Sequence, residues 1–337
     1  MKAVGYHHNL PLTDPHALLD LELPEPTPGA RDLLVEVYAV SVNPVDTKVR
    51  KGVAPAEGQA KVLGWDAAGV VRAVGTEVAG FQPGDRVWYA GALTRPGSNS
   101  ALHAVDARIA SRMPDSLGFE QAAALPLTTI TAWELLFERL GVAHGGGEGQ
   151  QRLVVGAAGG VGSILVQLAR QLTRLEVIAT ASRPETLEWT RAMGAHQVID
   201  HRHNLAQELA RIGRPQVTLV AALTQTERHF PALAEALAPQ GRLALIDDPA
   251  TPLDIGLLKR KSISLHWEFM FTRSMFETPD IAEQGKLLAR VASLVDEGRL
   301  RSTMTRSFGT RRAENLKAAH AGVESGSAIG KAVLAGF

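Results

Sequence analysis

The sequence predicts an α/β protein in two parts, a β-rich unit and a unit built on a doubly wound parallel sheet. Three observations carry that expectation. Short β-type runs bounded by Gly or Pro fill the first third of the chain. From about residue 118 helix-like and strand-like segments alternate. One strand–turn–helix junction, from Leu153 to Gly162, is built from small residues. The 337 residues also suit about two domains at roughly 150 residues each.

In the first part, Leu33 to Val40, Gly69 to Gly75 and Asp85 to Tyr89 read as strands, rich in branched and aromatic residues. Pro24, Pro26 and Pro28 interrupt any helix near the start. Several short strands with turns between them suggest a small barrel-like or sandwich-like unit. Phe119 to Gly141 then reads as one helix. Its apolar residues Ile130, Trp133, Leu136, Phe137 and Leu140 recur at three- and four-residue spacing, and Gly141 is a natural stop. Beyond it, strands are expected at Arg152–Gly156, Glu176–Ala181, Val217–Ala222, Arg242–Ile246 and Ser262–Trp267. Helices are expected at Val161–Leu172, Glu185–Met193 and Arg228–Leu237, and a closing strand at Lys331–Leu334. The Gly-rich stretch His144 to Gly149 precedes a strand, so it reads as a surface loop and not as a phosphate cradle.

Composition excludes several kinds of chemistry. The 35 Lys and Arg balance 35 Asp and Glu, which gives no support to nucleic-acid binding. There is no cysteine, so disulfides, thiol nucleophiles, iron–sulfur clusters and cysteine-ligated zinc are excluded. The paired histidines His7–His8 and His201 with His203 lack a third partner in the sequence and read as surface residues. No apolar run is long enough for a signal peptide or a membrane span. The expectation is a soluble, cytoplasmic protein. Its neutral charge permits self-association, and a homodimer or homotetramer is expected.

The junction from Leu153 to Gly162 carries the most chemistry. An apolar strand runs into Gly156, Ala157, Ala158, Gly159, Gly160, Val161 and Gly162, and a helix follows at once. Small residues let the backbone approach a pyrophosphate, and a helix N-terminus offers free N–H groups and partial positive charge. The spacing follows G-x-G-x-x-G with Ala157 in the first Gly position. A tight strand–helix turn without a ligand has the same pattern. The next strand should end on an acid if the ribose hydroxyls are to be bound. It ends instead on Ser182 and Arg183. A hydroxyl and a guanidinium suit a 2′-phosphate, which favours NADP(H) over NAD(H). Ser182 with Glu185 also reads as a capping box, and Arg183 as a plain surface cation.

Further blocks now add up. They are Ser41–Asp46, Leu63–Val71, Val74–Val87 with its Gly84–Asp85, Ala124–Trp133, the Gly156–Gly162 loop, and Gly330–Lys331. In this order they resemble the medium-chain dehydrogenase/reductase superfamily over essentially the whole chain, and within it the zinc-free quinone oxidoreductase branch. The resemblance implies a GroES-like catalytic domain made of residues 1–124 and 270–337, and a Rossmann NADP-binding domain of residues 125–269. Cofactor and substrate would lie in the cleft. It also implies no metal. In the zinc enzymes of this superfamily a Cys stands where this chain has Asn43, and His-Glu where it has Trp65–Asp66. The four-Cys structural zinc lobe is absent as well.

By the same resemblance Asn43 and Asp46 line the nicotinamide end of the cleft, and Lys331 reaches the cofactor. Asn43 reads equally as a turn residue before Pro44, and Lys331 as an edge-strand charge. Thr128 and Thr131 face the cofactor or cap a helix. Tyr89 is a proton donor or a core residue. The ends of the parallel strands nominate Leu223 and Ile246 as backbone contacts, and His201 as a flank of the adenine. The stretch from Leu265 to Phe276 is rich in aromatics and Met. With Trp65, its Phe269, Met270 and Phe271 wall an apolar substrate pocket; a subunit interface or plain core are the other readings.

Without zinc, no Lewis acid polarises an alcohol. Acceptors whose reduced form is a delocalised anion are then favoured. The expected activity is NADPH-dependent hydride transfer to a quinone or an α,β-unsaturated carbonyl, with two flat rings held in register. A 2-alkenal or acryloyl-type double-bond reductase and a non-catalytic NADPH-binding regulatory protein are the alternatives.

Overall fold

The computed structural model describes all residues, 1–337, and divides into two compact units. The first joins Met1–Ile130 to Phe271–Phe337, and the second is Thr131–Met270. The first boundary falls inside the helix Pro126–Trp133.

The second unit is a six-stranded parallel sheet. Its strands lie side by side in the order Gln197–Ile199, Glu176–Thr180, Gln151–Val155, Val217–Ala222, Leu237–Leu245, Ser264–Trp267. Counted along the chain that order is 3-2-1-4-5-6, the doubly wound arrangement of a Rossmann domain. Its strands are near-continuous apolar runs because helices cover both faces. On one face Leu153, Val155, Ile178, Val220 and Leu243 pack with Leu209, Phe230 and Leu233 from the helices. The reversal of strand order lies between Gln151–Val155 and Val217–Ala222, so the Gly-rich turn leaves the sheet at the point where a doubly wound fold binds ligands.

The first unit is the GroES-like part. A seven-stranded, mainly antiparallel sheet is built around the long strand Asp32–Ser41, which pairs with Asp66–Val74, Leu102–Asp106 and Lys331–Ala335. A small sheet of Leu19–Glu22, Lys2–Tyr6 and Lys61–Val62 adjoins it. The C-terminal strand Lys331–Ala335 thus sits next to Ser41 and carries Lys331 to the start of the helix Pro44–Gly52.

Two elements differ from the sequence expectation. The helix expected from Phe119 to Gly141 is three pieces: Phe119–Ala123, Pro126–Trp133 and a π-helical turn Glu134–Arg139. Pro126 has no N–H to continue a helix and starts a new one. The helix expected at Glu185 begins at Pro184, with Arg183 as its N-cap. Ser182 and Glu185 therefore form no capping box. The hydroxyl of Thr186 accepts from Arg183 N instead, at 3.1 Å.

The helix Ala313–Glu324 packs on Pro44–Gly52 and buries His320 completely, with neither ring nitrogen bonded. Burial pulls this imidazole down to about 4, and the nearby Arg50 charge adds to the effect. A histidine depressed in this way takes up its proton on unfolding. Its contribution is complete above about pH 6.5 and is lost as pH falls toward 4. At pH 5 the loss is about 2 kcal/mol at 1.36 kcal/mol per pH unit. His320→Phe should remove that part of the acid destabilisation, as read by urea unfolding at pH 7 and pH 5. An unchanged difference between the two pH values would put the titration elsewhere.

Candidate functional site

The first unit gathers its chemistry around one fully buried carboxylate, Asp66. The strand Asp66–Val74 begins at this residue, directly opposite the end of Asp32–Ser41. Ser41 Oγ and Asn43 Nδ2 donate to Asp66 Oδ2, each at 2.8 Å. Leu127 N donates to Asp66 Oδ1 at 2.8 Å, and Lys331 Nζ stands 3.3 Å from Oδ2. Lys331 Nζ also donates to Val42 O at 2.9 Å and to Asn43 Oδ1 at 2.5 Å. Burial pulls the Lys331 ammonium down, while the Asp66 and Asp46 carboxyls hold it up.

Asp46 lies one helical turn beyond Asn43 and accepts from Asn43 N at 2.7 Å. Burial pushes its carboxyl up to about 7, against the pull of that N–H and of Lys331, and the Asp66 charge adds to the rise. Asn43 is thus more than a turn residue: both ends of its amide are engaged, one by a carboxylate and one by an ammonium. Asn43, Asp46 and Lys331, each nominated by resemblance, lie together in one buried cluster. Its hub, Asp66, was considered only as a replaced metal ligand.

Other nominated residues fall differently. Tyr89 is fully buried, and its hydroxyl lies 3.0 Å from His103 Nδ1, with the rings stacked at 5.5 Å. His103 Nε2 lies 2.9 Å from Pro96 O, so that nitrogen carries the proton and the phenol donates to Nδ1. The Tyr89 proton is therefore committed inside the core. Trp65 is buried as well: its Nε1 donates to Ala92 O at 3.1 Å and its ring meets Phe271 edge-on at 6.3 Å. Met270 and Phe271 are buried, whereas Phe269 is exposed. Thr128 is buried and its Oγ1 bonds Leu125 O at 3.0 Å, a helix-start contact. Thr131 is buried on the next turn.

In the second unit the Gly-rich turn has the geometry of a phosphate cradle. Gly156 takes a φ of +81°, and its N–H donates to Thr180 Oγ1 at 3.1 Å. Gly159 caps the helix Gly160–Leu172, and a Cβ there would meet only Gly156 O, at 3.5 Å. Ala158 and Gly160 are small, and Val161, half-buried, follows in the first helical turn. Gly162 differs: a Cβ there would stand 2.5 Å from both Ala157 Cα and Gly156 O. Only glycine lets this helix pack so close to the strand. Gly162→Ala should therefore push the helix off the turn, costing about 1–3 kcal/mol by overpacking and weakening dinucleotide binding. Unfolding and a binding titration on the same variant check both effects.

Beyond the strand Glu176–Thr180, Ser182 and Arg183 are half-buried, and Arg183 Nε pairs with Glu185 at 2.8 Å. His201 lies nearby, edge-on to His229 at 6.4 Å. Burial lowers the His201 pKa; Asp200 opposes this, and Arg228, Arg202 and Arg183 reinforce it. The charges of Arg228, Arg202 and Arg183 all act on His201, although Arg202 is itself paired with Asp200. Sequence reasoning found Arg183 there but missed Arg228, which only the fold brings near. Leu223 N donates to Val155 O at 3.2 Å, and Ile246 follows the strand Leu237–Leu245. Asp247 next to it binds Thr226 N at 3.0 Å and so fixes the start of the helix Thr226–Ala236.

These residues fit a dinucleotide: an open glycine cradle, a helix N-terminus and cations near the second strand. They do not fit a zinc ion. The position of a thiolate ligand holds the Asn43 amide, and Trp65 offers an indole N–H, a donor. Both Asp66 oxygens already accept. No group of three or more His, Asp or Glu is placed to hold a metal ion. No helix is long and apolar enough to cross a membrane.

Comparison with known proteins agrees with the fold, although several of the matching names mention zinc. Residues 29–125 match the alcohol dehydrogenase GroES-like domain, and residues 193–334 the zinc-binding dehydrogenase family. A zinc-type alcohol dehydrogenase-like protein of Staphylococcus aureus is 37% identical over 99% of both chains. A quinone oxidoreductase of Pseudomonas aeruginosa is 32% identical over 91% of this chain and 92% of its own. Among solved structures, a Rhizobium etli protein provisionally classed as a zinc-dependent alcohol dehydrogenase shares 56% identity and a TM-score of 0.96, over 100% of this chain and 98% of that one. The Escherichia coli quinone oxidoreductase complexed with NADPH shares 25% identity and a TM-score of 0.84, over 99% and 100%.

Proposed function

This chain belongs to the medium-chain dehydrogenase/reductase superfamily, in its quinone oxidoreductase-like branch, and we propose from that premise that it reduces a quinone or an α,β-unsaturated carbonyl with NADPH and without zinc. The observation that carries the cofactor choice is Arg183 just beyond the tip of the second strand. No acid stands at the tip of the strand Glu176–Thr180; Arg183 does, with Arg228 and Arg202 acting on the same neighbour, His201. A 2′-phosphate would be bound there by charge-assisted hydrogen bonds. The absence of a zinc donor set carries the choice of acceptor.

A reduced nicotinamide supplies the hydride when bound. The chain's own part is positional. The first-turn N–H groups of the helix Gly160–Leu172 bind the pyrophosphate, and Gly159 leaves room for it. Arg183 and Arg228 neutralise the 2′-phosphate. In the first unit, Asp66 and Lys331 hold the Asn43 amide in one orientation, so that it presents a fixed polar edge with no reorganisation during the reaction. Below about pH 7 the Asp46 carboxyl is mostly neutral and adds little repulsion to that cluster.

Arg183→Ala tests the assignment. Losing one guanidinium–phosphate contact is worth roughly 1.5–3 kcal/mol, or about tenfold to hundredfold in affinity. KM for NADPH should rise by that factor while KM for NADH stays unchanged. An equal effect on both cofactors would remove the 2′-phosphate reading. Oxidation of NADPH by a small quinone and by a 2-alkenal, compared as kcat/KM, identifies the acceptor. Binding of NADPH with no turnover on either would favour a non-catalytic role.

A further inference from the structure

The cofactor unit holds a buried acidic pair that the proposed function does not use. Glu134 opens the π-helical turn Glu134–Arg139, and Glu268 directly follows the last parallel strand, Ser264–Trp267. Their exposures are 1% and 2%. No aligned hydrogen-bond donor reaches either Glu268 oxygen. Arg139 Nε stands 2.9 Å from Glu268 Oε2, and its Nη2 3.9 Å from Glu134 Oε2. An ionised carboxylate buried without an aligned donor is strongly disfavoured, and more so beside a second buried carboxyl, so one of the two keeps its proton. One proton leaves the pair with a single negative charge, which Arg139 matches. The other charged or titratable groups facing this cluster are Glu138, 3.8 Å from Arg139, and His266 and Arg242 on the last two strands.

The position of the pair gives it a consequence. Glu268 N donates to Leu245 O at 2.9 Å, so Glu268 extends the ladder at the carboxyl edge of the sheet. Doubly wound folds bind their dinucleotide at that edge. The pair ties this edge to the π-helical turn. Such turns replace the ordinary helical bond by a wider one, here Leu140 N to Leu135 O at 2.9 Å, and they mark places where a helix is held out of its usual path.

We propose that Glu134 and Glu268 form a one-proton carboxyl pair that positions the end of the last parallel strand, and with it the nicotinamide end of the cofactor, and that removing the proton releases this positioning. The proposal rests on the reading that the unit binds a nicotinamide cofactor. Both glutamates are positioning residues. Deprotonation places two carboxylates side by side in a buried site with one guanidinium between them, and the like-charge repulsion drives Glu134 and Glu268 apart.

Burial and the Glu134 charge push Glu268 up to about 9, against the pull of Arg139. The dissociation constant of NADPH, measured from pH 7 to 10, should therefore be flat to about pH 9 and then rise about tenfold per pH unit. Glu268→Gln keeps a hydrogen-bond donor that needs no proton, and its profile should stay flat. Glu134→Gln should do the same. The same alkaline rise in both variants overturns the proposal. Infrared spectra of the cofactor-free wild-type protein with isotope-labelled glutamate give an independent reading. A protonated glutamate band should persist at pH 8, where the Asp46 carboxyl has lost its proton, and vanish above pH 9. Its absence at pH 8 overturns the pair whatever the cofactor. A band that titrates as expected in a protein that binds no NADPH at any pH overturns the positioning and the cofactor reading together, and leaves the pair.

Discussion

Replacing Asp66 by alanine is expected to cost about 3–5 kcal/mol and to disable the first unit, because it strands a buried ammonium. Asp66 is fully buried and answers four donors: Ser41 Oγ, Asn43 Nδ2, Leu127 N and the Lys331 ammonium. Each neutral hydrogen bond is worth about 1 kcal/mol net, and a donor left dry costs more than that. The charge dominates, since Lys331 is only 4% exposed. One response softens the loss. With the Asp66 charge gone, the Asp46 carboxyl is relieved of one of the effects that hold it up to about 7, and it ionises toward Lys331. The decisive measurement is therefore a double-variant cycle. If the cost lies in the unpaired ammonium, Asp66→Ala with Lys331→Met should be more stable than Asp66→Ala alone, because neither charge then remains. Two costs that simply add in urea unfolding would mean that lost packing, and not the charge, explains the effect. Asp66→Asn is no mild control. It keeps the Leu127 contact but turns an amide N–H toward other donors.

The parts of the site that were legible in the sequence are local. The glycine turn could be read because a strand, four small residues and a helix start fit into ten positions, and backbone geometry alone sets their meaning. Arg183 could be read because the tip of the next strand is fixed by that same count. The Asn43, Asp46 and Lys331 cluster was reached through resemblance, since nothing in its spacing brings residue 331 to residue 43. What failed were boundaries and partners. Pro126 and Pro184 each reset a helix start, and both signals were present but weighed too little against apolar periodicity and a capping pattern. Tyr89 looked available because it ends a strand, and only the fold shows His103 against its hydroxyl. Arg228 and the Glu134–Glu268 pair join residues far apart in the chain, and their partners exist only once the sheet has formed. The same limit hid Arg152, which in sequence is an ordinary charge at the mouth of a strand.

Arg152→Met should raise the stability of the cofactor unit, against the usual sense of a core substitution. Arg152 is fully buried in the strand Gln151–Val155, flanked by Val177 and Leu219 on the neighbouring strands. None of its three guanidinium nitrogens has a hydrogen-bond partner. Burial alone pulls the group down to about 9, which still leaves it charged at neutral pH. Arg311 is the contrast. It is as deeply buried, yet its guanidinium donates to Val37 O, Ser100 O and Gly336 O and lies 4.2 Å over the Phe337 ring. An unpaired buried cation costs several kcal/mol in desolvation that no contact returns. Methionine keeps the unbranched stem and deletes only the charged tip. The void left by that tip costs roughly 1 kcal/mol at the usual rate for cavities. The desolvation term is the larger, so the net expectation is a gain of about 1–4 kcal/mol at pH 7. Because the unfolded arginine keeps its proton far above pH 9, the penalty shrinks as pH rises through about 9, and the advantage of the methionine variant should narrow there. Arg311→Met, measured alongside, should lose stability by taking the guanidinium from the buried carbonyls of Val37 and Ser100. If Arg152→Met lost stability as well, the guanidinium would have to be serving a partner that its surroundings in the sheet do not supply.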